Sequence, residues 1–489
     1  MPVLDRDIRR AEVMLAATPH HRFEINGIRY LFGTDNLRVA REDAWTREEL
    51  RCAEGGIAQD VLVSELAGRG FDIKTSEDKV AQLRASGFLI ERGCAPIELE
   101  AGQGDCVTFM VNVSQRCNLT CSYCYVNQGL FDYEEKPVKK MRRETFETVV
   151  PRVFRMFPDN ESYAFHFYGG EPLMNFVAIR EMSEAALDHA KMSGARLQFY
   201  ITTNGTLITE EVADFFDRFR FNVYLSVDGD KASHDEYRTY HNGRGSFDDV
   251  MKSFELLRSR PHVYVIGSSV IRDGFSLGEA IGFLADHGAD MCKAERVRLA
   301  EGASGALTKS QRDRYLRDTR DLIEHYIEAI SHGRTAMDYR LTPKILQLLM
   351  RRRRTFFCAA GERMFGIAAN GEIYPCALHV GRRRAMLGSL DDGIDGELAN
   401  AFRRKYSAQN QPRCATCWAR NLCGGGCSAM VDRFGHEDCE ALRAEAEAAI
   451  VVFDHFATND PLQLLALVSP EIVAWMNSPE EQGSRGPSQ

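Results

Sequence analysis

The chain has 489 residues, enough for about three domains. With 44% hydrophobic and 27% charged residues it is not wholly disordered, and a formal net charge of −9 disfavours a general nucleic-acid binder. No apolar run approaches the roughly 18 residues of a membrane span, and the first ten residues lack an apolar signal core, so a cytoplasmic protein without membrane partners is expected.

Residues 23–32 form two short apolar runs around Asn26-Gly27, a hairpin signal, and 37–39 add a further strand. Helical patterns follow over 48–54, 57–67 and 76–86, the last with an N-cap at Ser76 and a stop at Gly87, before an apolar 88–90. Strands with three small helices predict a separate, winged-helix-like α+β module over 1–98. The acidic chain and the lack of a basic recognition helix argue against DNA as its partner.

From 107 to 299 strand and helix alternate. Strands are expected at 107–113, 163–168, 197–202, 223–227, 263–271 and 297–299, and helices at 143–156, 177–192, 210–219, 247–258 and 277–287. Such repeats predict an α/β fold, a parallel sheet or barrel with helices outside. Functional residues then belong just after strand C-termini. Amphipathic stretches at 311–332 and 343–352 follow, and the chain after Cys439 reads as helical to about 477, then disordered over 478–489.

Ten of the 14 cysteines fall into two groups. In a reducing compartment clustered cysteines bind metal more often than they form disulfides. The first group, Cys117-x3-Cys121-x2-Cys124, follows the first barrel strand. Three thiolates on one loop suit three irons of a [4Fe–4S] cube with the fourth left open, whereas a four-Cys zinc site needs one more thiolate nearby. From the cysteine frequency, chance gives only about 0.01 such patterns in this chain.

The spacing, with Tyr123 before the third cysteine, resembles the radical S-adenosylmethionine (SAM) enzymes. The resemblance implies a partial (β/α)6 TIM-like barrel over 99–340, with Cys117, Cys121 and Cys124 as catalytic cluster ligands. The open iron would bind SAM, whose reductive cleavage gives a 5′-deoxyadenosyl radical. Gly169-Gly170-Glu171-Pro172 resembles the family's GGEP turn, with Glu171 suited to an ammonium. Asn204 lies in a segment resembling the ribose contact. Ser226 and Arg238, around Asp228, would hold the SAM carboxylate, and Tyr123 would pack near adenine.

The second group runs Cys358-x12-Gly371-x4-Cys376, then Cys414-x2-Cys417-x5-Cys423-x3-Cys427, then Cys439. This series resembles the SPASM extension of peptide-modifying radical SAM enzymes, expected over 341–445, and implies two auxiliary [4Fe–4S] clusters, three in all. By that pattern Cys414, Cys417, Cys423 and Cys439 complete one cluster. Cys358, Cys376 and Cys427 hold the other, leaving one iron open unless Cys292 or another group reaches it. A single zinc ribbon on Cys414, Cys417, Cys423 and Cys427 is the rival, and it leaves three cysteines without a role. Cys52, Cys94 and Cys106 read as unpaired thiols, and 351–354 and 382–384 as solvated arginine runs.

The N-terminal module resembles, more loosely, a PqqD-like element that binds the leader of a ribosomally made peptide by strand addition. A peptide maturase forming intrachain Cys sulfur-to-carbon thioethers fits these features, fed by a reducing donor such as flavodoxin or ferredoxin. The chain is most similar, among such types, to maturases of the quinohemoprotein amine dehydrogenase small subunit. An anaerobic sulfatase-type formylglycine maturase would carry an Asp base after Cys376, where Ala377 stands. A carbon–carbon cross-linking maturase, and a non-catalytic iron–sulfur scaffold or electron carrier, are the remaining alternatives.

Overall fold

A computed structural model describes residues 13–92, 106–124, 138–272, 274–299, 306–332 and 337–466. The N-terminal part contains β1 (Met14–Ala17), β2 (His20–Ile25), β3 (Ile28–Gly33), β4 (Val39–Arg41), α1 (Ala44–Ala53), β5 (Ile57–Ala58), α2 (Gln59–Gly68), α3 (Ile73–Ala85) and β6 (Leu89–Glu91). They form two three-stranded sheets, β5-β1-β6 and β2-β3-β4. Asn26 and Gly27 turn the β2–β3 hairpin with φ of 51° and 74°, as a tight primed turn requires. The α3 cap is Asp72, which accepts the Thr75 N–H, rather than Ser76. Ser76 is buried instead, its hydroxyl donating to the Asp72 carbonyl oxygen.

This region shares its core with the rest of the chain rather than standing apart. Leu31 packs with Leu15, Leu50, Leu66 and Phe88, while its neighbours Tyr30 and Phe32 point the other way. They meet apolar residues of three later helices, α10 (Lys309–Ser331), α11 (Thr342–Met350) and α16 (Cys439–Asn459). Arg41 pairs with Asp454 of α16 at 2.8 Å, and the His21 ring stacks on Trp418 at 3.8 Å.

Within α1, Glu49 is fully buried, and among the described residues neither carboxylate oxygen has a hydrogen-bond partner. Burial pushes its pKa up to about 7, with Lys79 pulling down and Asp43 pushing up. The folded state therefore holds a proton that the unfolded chain releases near 4.5, the ordinary value. The Glu49 contribution is fully favourable below pH 4.5 and is lost as pH rises through about 7, by up to about 3 kcal/mol. Thermal unfolding should show Glu49→Gln raising the midpoint at pH 8 and not at pH 4. An equal shift at both would contradict the account.

The central element is an eleven-stranded sheet. Its parallel strands are β7 (Cys106–Ser114), β8 (Ser162–Gly169), β9 (Arg196–Thr203), β10 (Phe221–Ser226), β11 (Tyr264–Ile271), β12 (Met291–Arg296) and the short β13 (Met337–Asp338), in sequential order. Helices α4 (Arg143–Met156), α5 (Phe176–Ser193), α6 (Glu210–Arg218), α7 (Lys231–Asp235), α8 (Phe247–Arg258) and α9 (Leu277–Asp286) connect them. This is the expected α/β architecture, a parallel sheet with helices on its outer face. One face carries Phe109, Phe165, Phe167, Ile201, Val223 and Cys292 into the main apolar core. The period of two turns His166, Tyr168, Tyr200, Tyr224 and Lys293 to the opposite, inner face.

The last full strand differs from expectation: it is β12, not 297–299. Its sequence alternates apolar Cys292 and Ala294 with inward Lys293 and Glu295, so it shows no apolar run. Beyond β7, β14 (Met364–Ile367) adds in parallel, followed by antiparallel β15 (Glu372–Tyr374), β16 (Gly388–Ser389) and β17 (Gly393–Ile394). The second cysteine region thus begins as an extension of the barrel sheet. Among the described residues no helix is long and apolar enough to cross a membrane. Residues 467–489, expected to pass from helix to disorder, lie outside the described residues.

Candidate active site

Cys117, Cys121 and Cys124 lie on the loop that leaves the C-terminal end of β7. Neighbouring strand ends fix this loop. Gly170 N–H donates to the Ser114 carbonyl at 2.7 Å, Glu171 N–H to that of Arg116 at 2.8 Å, and Thr120 N–H to that of Thr239 at 2.7 Å. The Asn204 amide donates to Asn118 at 2.9 Å and reaches the Cys117 sulfur at 3.5 Å. Burial pushes the Cys117 thiol up to about 12 and the Cys121 thiol up to about 11. Such enclosed thiols release their protons on binding iron.

The glycines of the GGEP turn serve this loop. Gly169 has φ of 132°, and a Cβ there would be driven into the Ser114 carbonyl oxygen. A Cβ on Gly170 would come within 2.6 Å of the Arg116 carbonyl oxygen. Glu171 also departs from its expected role. Its fully buried carboxylate accepts from Leu173 N–H at 3.0 Å, Thr203 hydroxyl at 2.8 Å and Asn204 N–H at 2.8 Å. Those contacts tie the β8 and β9 loops together, leaving the carboxylate no open face toward an ammonium. Burial raises its pKa to about 7 against the pull of these donors.

After β10, Asp228 is fully buried and accepts from Arg238 at 2.9 and 3.3 Å, Val270 N–H at 2.9 Å, Arg272 at 3.4 Å and the Tyr123 hydroxyl. Burial alone would raise its pKa, but Arg238 and Arg272 hold it at about 2. Tyr123 is anchored here rather than left free for a base, with the Arg238 and Arg272 guanidiniums 5.4 and 5.6 Å from its ring centre. His234 accepts the Asp228 N–H on Nδ1, so its Nε2–H faces the Ser246 hydroxyl at 3.0 Å, which donates onward to the Arg238 carbonyl. Burial, then Arg238, lowers its pKa to about 4, keeping the ring neutral. Ser226, at the end of β10, pairs in register with Ser268.

Arg272 was not expected from sequence. It is 4% exposed, stacks on Tyr237 at 3.7 Å, and leaves Nε and Nη1 without partners among the described residues. An arginine immediately after β11 obeys the strand-end rule, and that position was its only signal.

Residues 111–280 match the Radical SAM superfamily. This segment is a radical SAM domain. That assignment brings with it SAM and a SAM-binding [4Fe–4S] cluster, for which the three-cysteine loop supplies the donor set. The chain is 27% identical over 330 residues to a cysteine-type anaerobic sulfatase-maturating enzyme of Clostridium novyi (strain NT), covering 64% of this chain and 85% of that protein. It is 26% identical over 222 residues to the radical SAM cyclopropyl synthase TigE of Paramaledivibacter caminithermalis, covering 40% and 45%. Among solved structures, anSMEcpe with bound AdoMet aligns with a TM-score of 0.60 at 22% identity, over 72% of this chain and 99% of that chain, a likeness of fold.

The family pattern divides the C-terminal cysteines into two sets, and five of the seven border one cavity. Cys414 is pushed up to about 11 by burial, then by Cys423, Cys439 and Cys417. Those four line one cavity, which Cys427 also borders. Cys376 is raised by burial, then by Cys358 and Cys427. Cys292 joins neither set, because it packs against α9 with its thiol toward the Ile281 carbonyl. Among the described residues no three His, Cys, Asp or Glu side chains converge on one metal ion. The arginine runs are not wholly solvated, since Arg382 is 3% exposed and pairs with Asp432 at 3.1 Å.

Proposed function

We propose that this protein is a peptide or protein maturase that joins a cysteine sulfur to a carbon within one polypeptide. The observation that carries the reading is the gathering of five C-terminal cysteines around one cavity, which the family pattern, with Cys358 and Cys376, divides into a set of four and a set of three. Four thiolates satisfy a [4Fe–4S] cluster, whereas Cys358, Cys376 and Cys427 leave one iron for another ligand. With Cys292 turned toward α9, a substrate thiol suits that place, and coordination would favour its thiolate. Ala377 follows Cys376 where formylglycine maturases resembling this chain have an Asp base.

In this reading the SAM-binding cluster, when loaded, supplies the electron that splits SAM into methionine and a 5′-deoxyadenosyl radical. The backbone of Gly169 and Gly170, with Asn204, Ser226 and Arg238, would line the SAM seat, and Asp228 would aim Arg238. Each cross-link removes two hydrogens from the polypeptide. The carbon loses one as an atom to the deoxyadenosyl radical and the thiol loses the other as a proton; a cluster held by Cys358, Cys376 and Cys427 would supply an acceptor for the remaining electron. The solved anSMEcpe structure with AdoMet and the Kp18Cys peptide supports a polypeptide substrate for this fold. Residues 1–98 would recognise a leader segment, as PqqD-like elements do, and the quinohemoprotein amine dehydrogenase small subunit is the substrate type most consistent with the sequence.

High-resolution mass spectrometry of the small Cys-containing polypeptide encoded beside this gene, co-produced anaerobically with the enzyme, tests the reading. A loss of two hydrogens per event, with sulfur retained and the cysteine no longer alkylated, is expected. Loss of sulfur would indicate formylglycine, and loss of hydrogens with all thiols free a carbon–carbon bond. Either overturns the thioether assignment.

A further inference from the structure

Arg354 ends a run of four arginines that reads as solvated from sequence, yet in the fold it is partly buried. Its backbone N–H donates at 2.8 Å to the carbonyl of Asn421, two residues before Cys423. Gly424, with φ of 73°, packs on the same segment. An added Cβ there would lie 2.6 Å from Arg354 Cγ and 2.4 Å from the Phe356 carbonyl carbon. Phe356 in turn joins Cys358 and Cys376 in one apolar cluster. Residues 354–358 therefore run from the edge of the four-cysteine set into the three-cysteine set, and Arg354 stands where the two meet.

The guanidinium is held from one side. Gln347 of α11, in the amide orientation that satisfies both of its groups, accepts from Nε at 3.1 Å and donates to the Leu422 carbonyl at 3.2 Å. Among the described residues Arg354 forms no ion pair with an Asp or Glu, and neither Nη donates to a protein acceptor. Burial lowers its pKa, and the groups that oppose this are Cys423, Cys358 and Tyr339, in that order. Two other cations act on those thiols, and both already have acids. Arg403, beside Cys358, pairs with Glu362, and Lys344, beside Cys423, pairs with Glu445 at 2.9 Å. An arginine keeps its proton in a protein, so the Arg354 charge is permanent. A desolvated cation is costly unless an anion answers it, and the anions on offer here are thiolates of both sets.

We propose that Arg354 is a positioning residue whose fixed charge lies across both C-terminal cysteine sets and favours uptake of an electron by the clusters they hold. This rests on the reading that each set carries a [4Fe–4S] cluster. Adding one electron to such a cluster makes and breaks no bond and adds one negative charge. A neighbouring cation therefore stabilises the reduced form and raises the potential. Net charge and hydrogen bonds to sulfur both set that potential, and a guanidinium supplies both. One residue shared by the two sets moves their potentials together, which suits them to exchange the electron that cross-linking releases.

The test is EPR-monitored potentiometry of the full-length, cluster-loaded protein as wild type, Arg354→Gln and Arg354→Lys. Iron per chain is measured first, and added SAM marks the signal of its own cluster. In Arg354→Gln both auxiliary midpoints should fall. The ratio of reduced to oxidised cluster at a fixed potential should drop about ten-fold, which for one electron is about 59 mV. The SAM-binding cluster should keep its midpoint, and Arg354→Lys should restore part of both shifts.

Unchanged auxiliary midpoints in Arg354→Gln, or a shift in one alone, would overturn the assignment. So would equal shifts in Arg354→Gln and Arg354→Lys, a pattern that follows shape rather than charge. Where Arg354→Gln assembles too little cluster to titrate, iron content takes the place of the midpoint. Retention of iron in Arg354→Lys then supports the charge, and equal loss in both variants overturns it. Wild-type iron for fewer than three cubes would refute the two-cluster reading and the assignment with it. Unchanged midpoints with iron for all three would refute the assignment alone.

Discussion

Asp228→Asn should yield protein with a thermal midpoint lowered by several degrees, reduced iron at the Cys117–Cys124 loop and SAM cleavage down at least 100-fold. The carboxylate is enclosed and compensates two arginines that are themselves 7% and 4% exposed. An amide keeps the shape and removes the charge, so Arg238 and Arg272 become two unpaired cations in a shared low-dielectric space. Breaking a buried pair in this way costs about 3–5 kcal/mol. The damage is not confined to stability. Asp228 also accepts from Tyr123, which lies between Cys121 and Cys124, and from Val270 on β11. One change thus loosens the cysteine loop and two strand ends together. Asp228→Glu, which keeps the charge, should recover part of the iron content. Wild-type SAM cleavage and an unchanged midpoint in Asp228→Asn would show that the arginines are compensated elsewhere.

The cysteine loop and the strand-end motifs were legible because spacing and strand order are local properties. Cys117, Cys121 and Cys124 require only a loop after an apolar strand, and β7 to β11 carry the expected apolar alternation. The reading failed where side-chain direction depends on a partner distant in sequence. β12 was misplaced because Lys293 and Glu295 face a polar interior, which removes the continuous apolar run of a doubly buried strand. The N-terminal region looked separable, yet Tyr30-Leu31-Phe32 is apolar at successive positions. That pattern signals burial on both faces, and the second face is α16 with the Trp418 loop. Glu171 was assigned an outward task from its charge, when its residue type suits accepting three inward N–H and O–H groups equally well. Arg272 had no motif around it, and only the assembled strand ends bring it to Tyr123 and Tyr237.

Gly169→Ala should cost the protein its SAM-binding cluster. Two separate penalties act at this position. A φ of 132° lies outside the range an L-residue adopts readily, and the added methyl must displace the Ser114 carbonyl oxygen, which is backbone and cannot rotate away. That carbonyl also accepts the Gly170 N–H at 2.7 Å, and Ser114 is three residues before Cys117. Movement there shifts the first cluster ligand. Gly194→Ala separates the two penalties. Gly194 has φ of 73° at the end of α5 and nothing within 4 Å of its added Cβ, so the substitution carries backbone strain of about 1 kcal/mol without a collision. Iron quantification and 5′-deoxyadenosine formation should therefore be near wild type in Gly194→Ala and fall at least 100-fold for 5′-deoxyadenosine in Gly169→Ala. Wild-type iron and 5′-deoxyadenosine in Gly169→Ala would show that the turn accommodates the methyl and does not hold the cysteine loop.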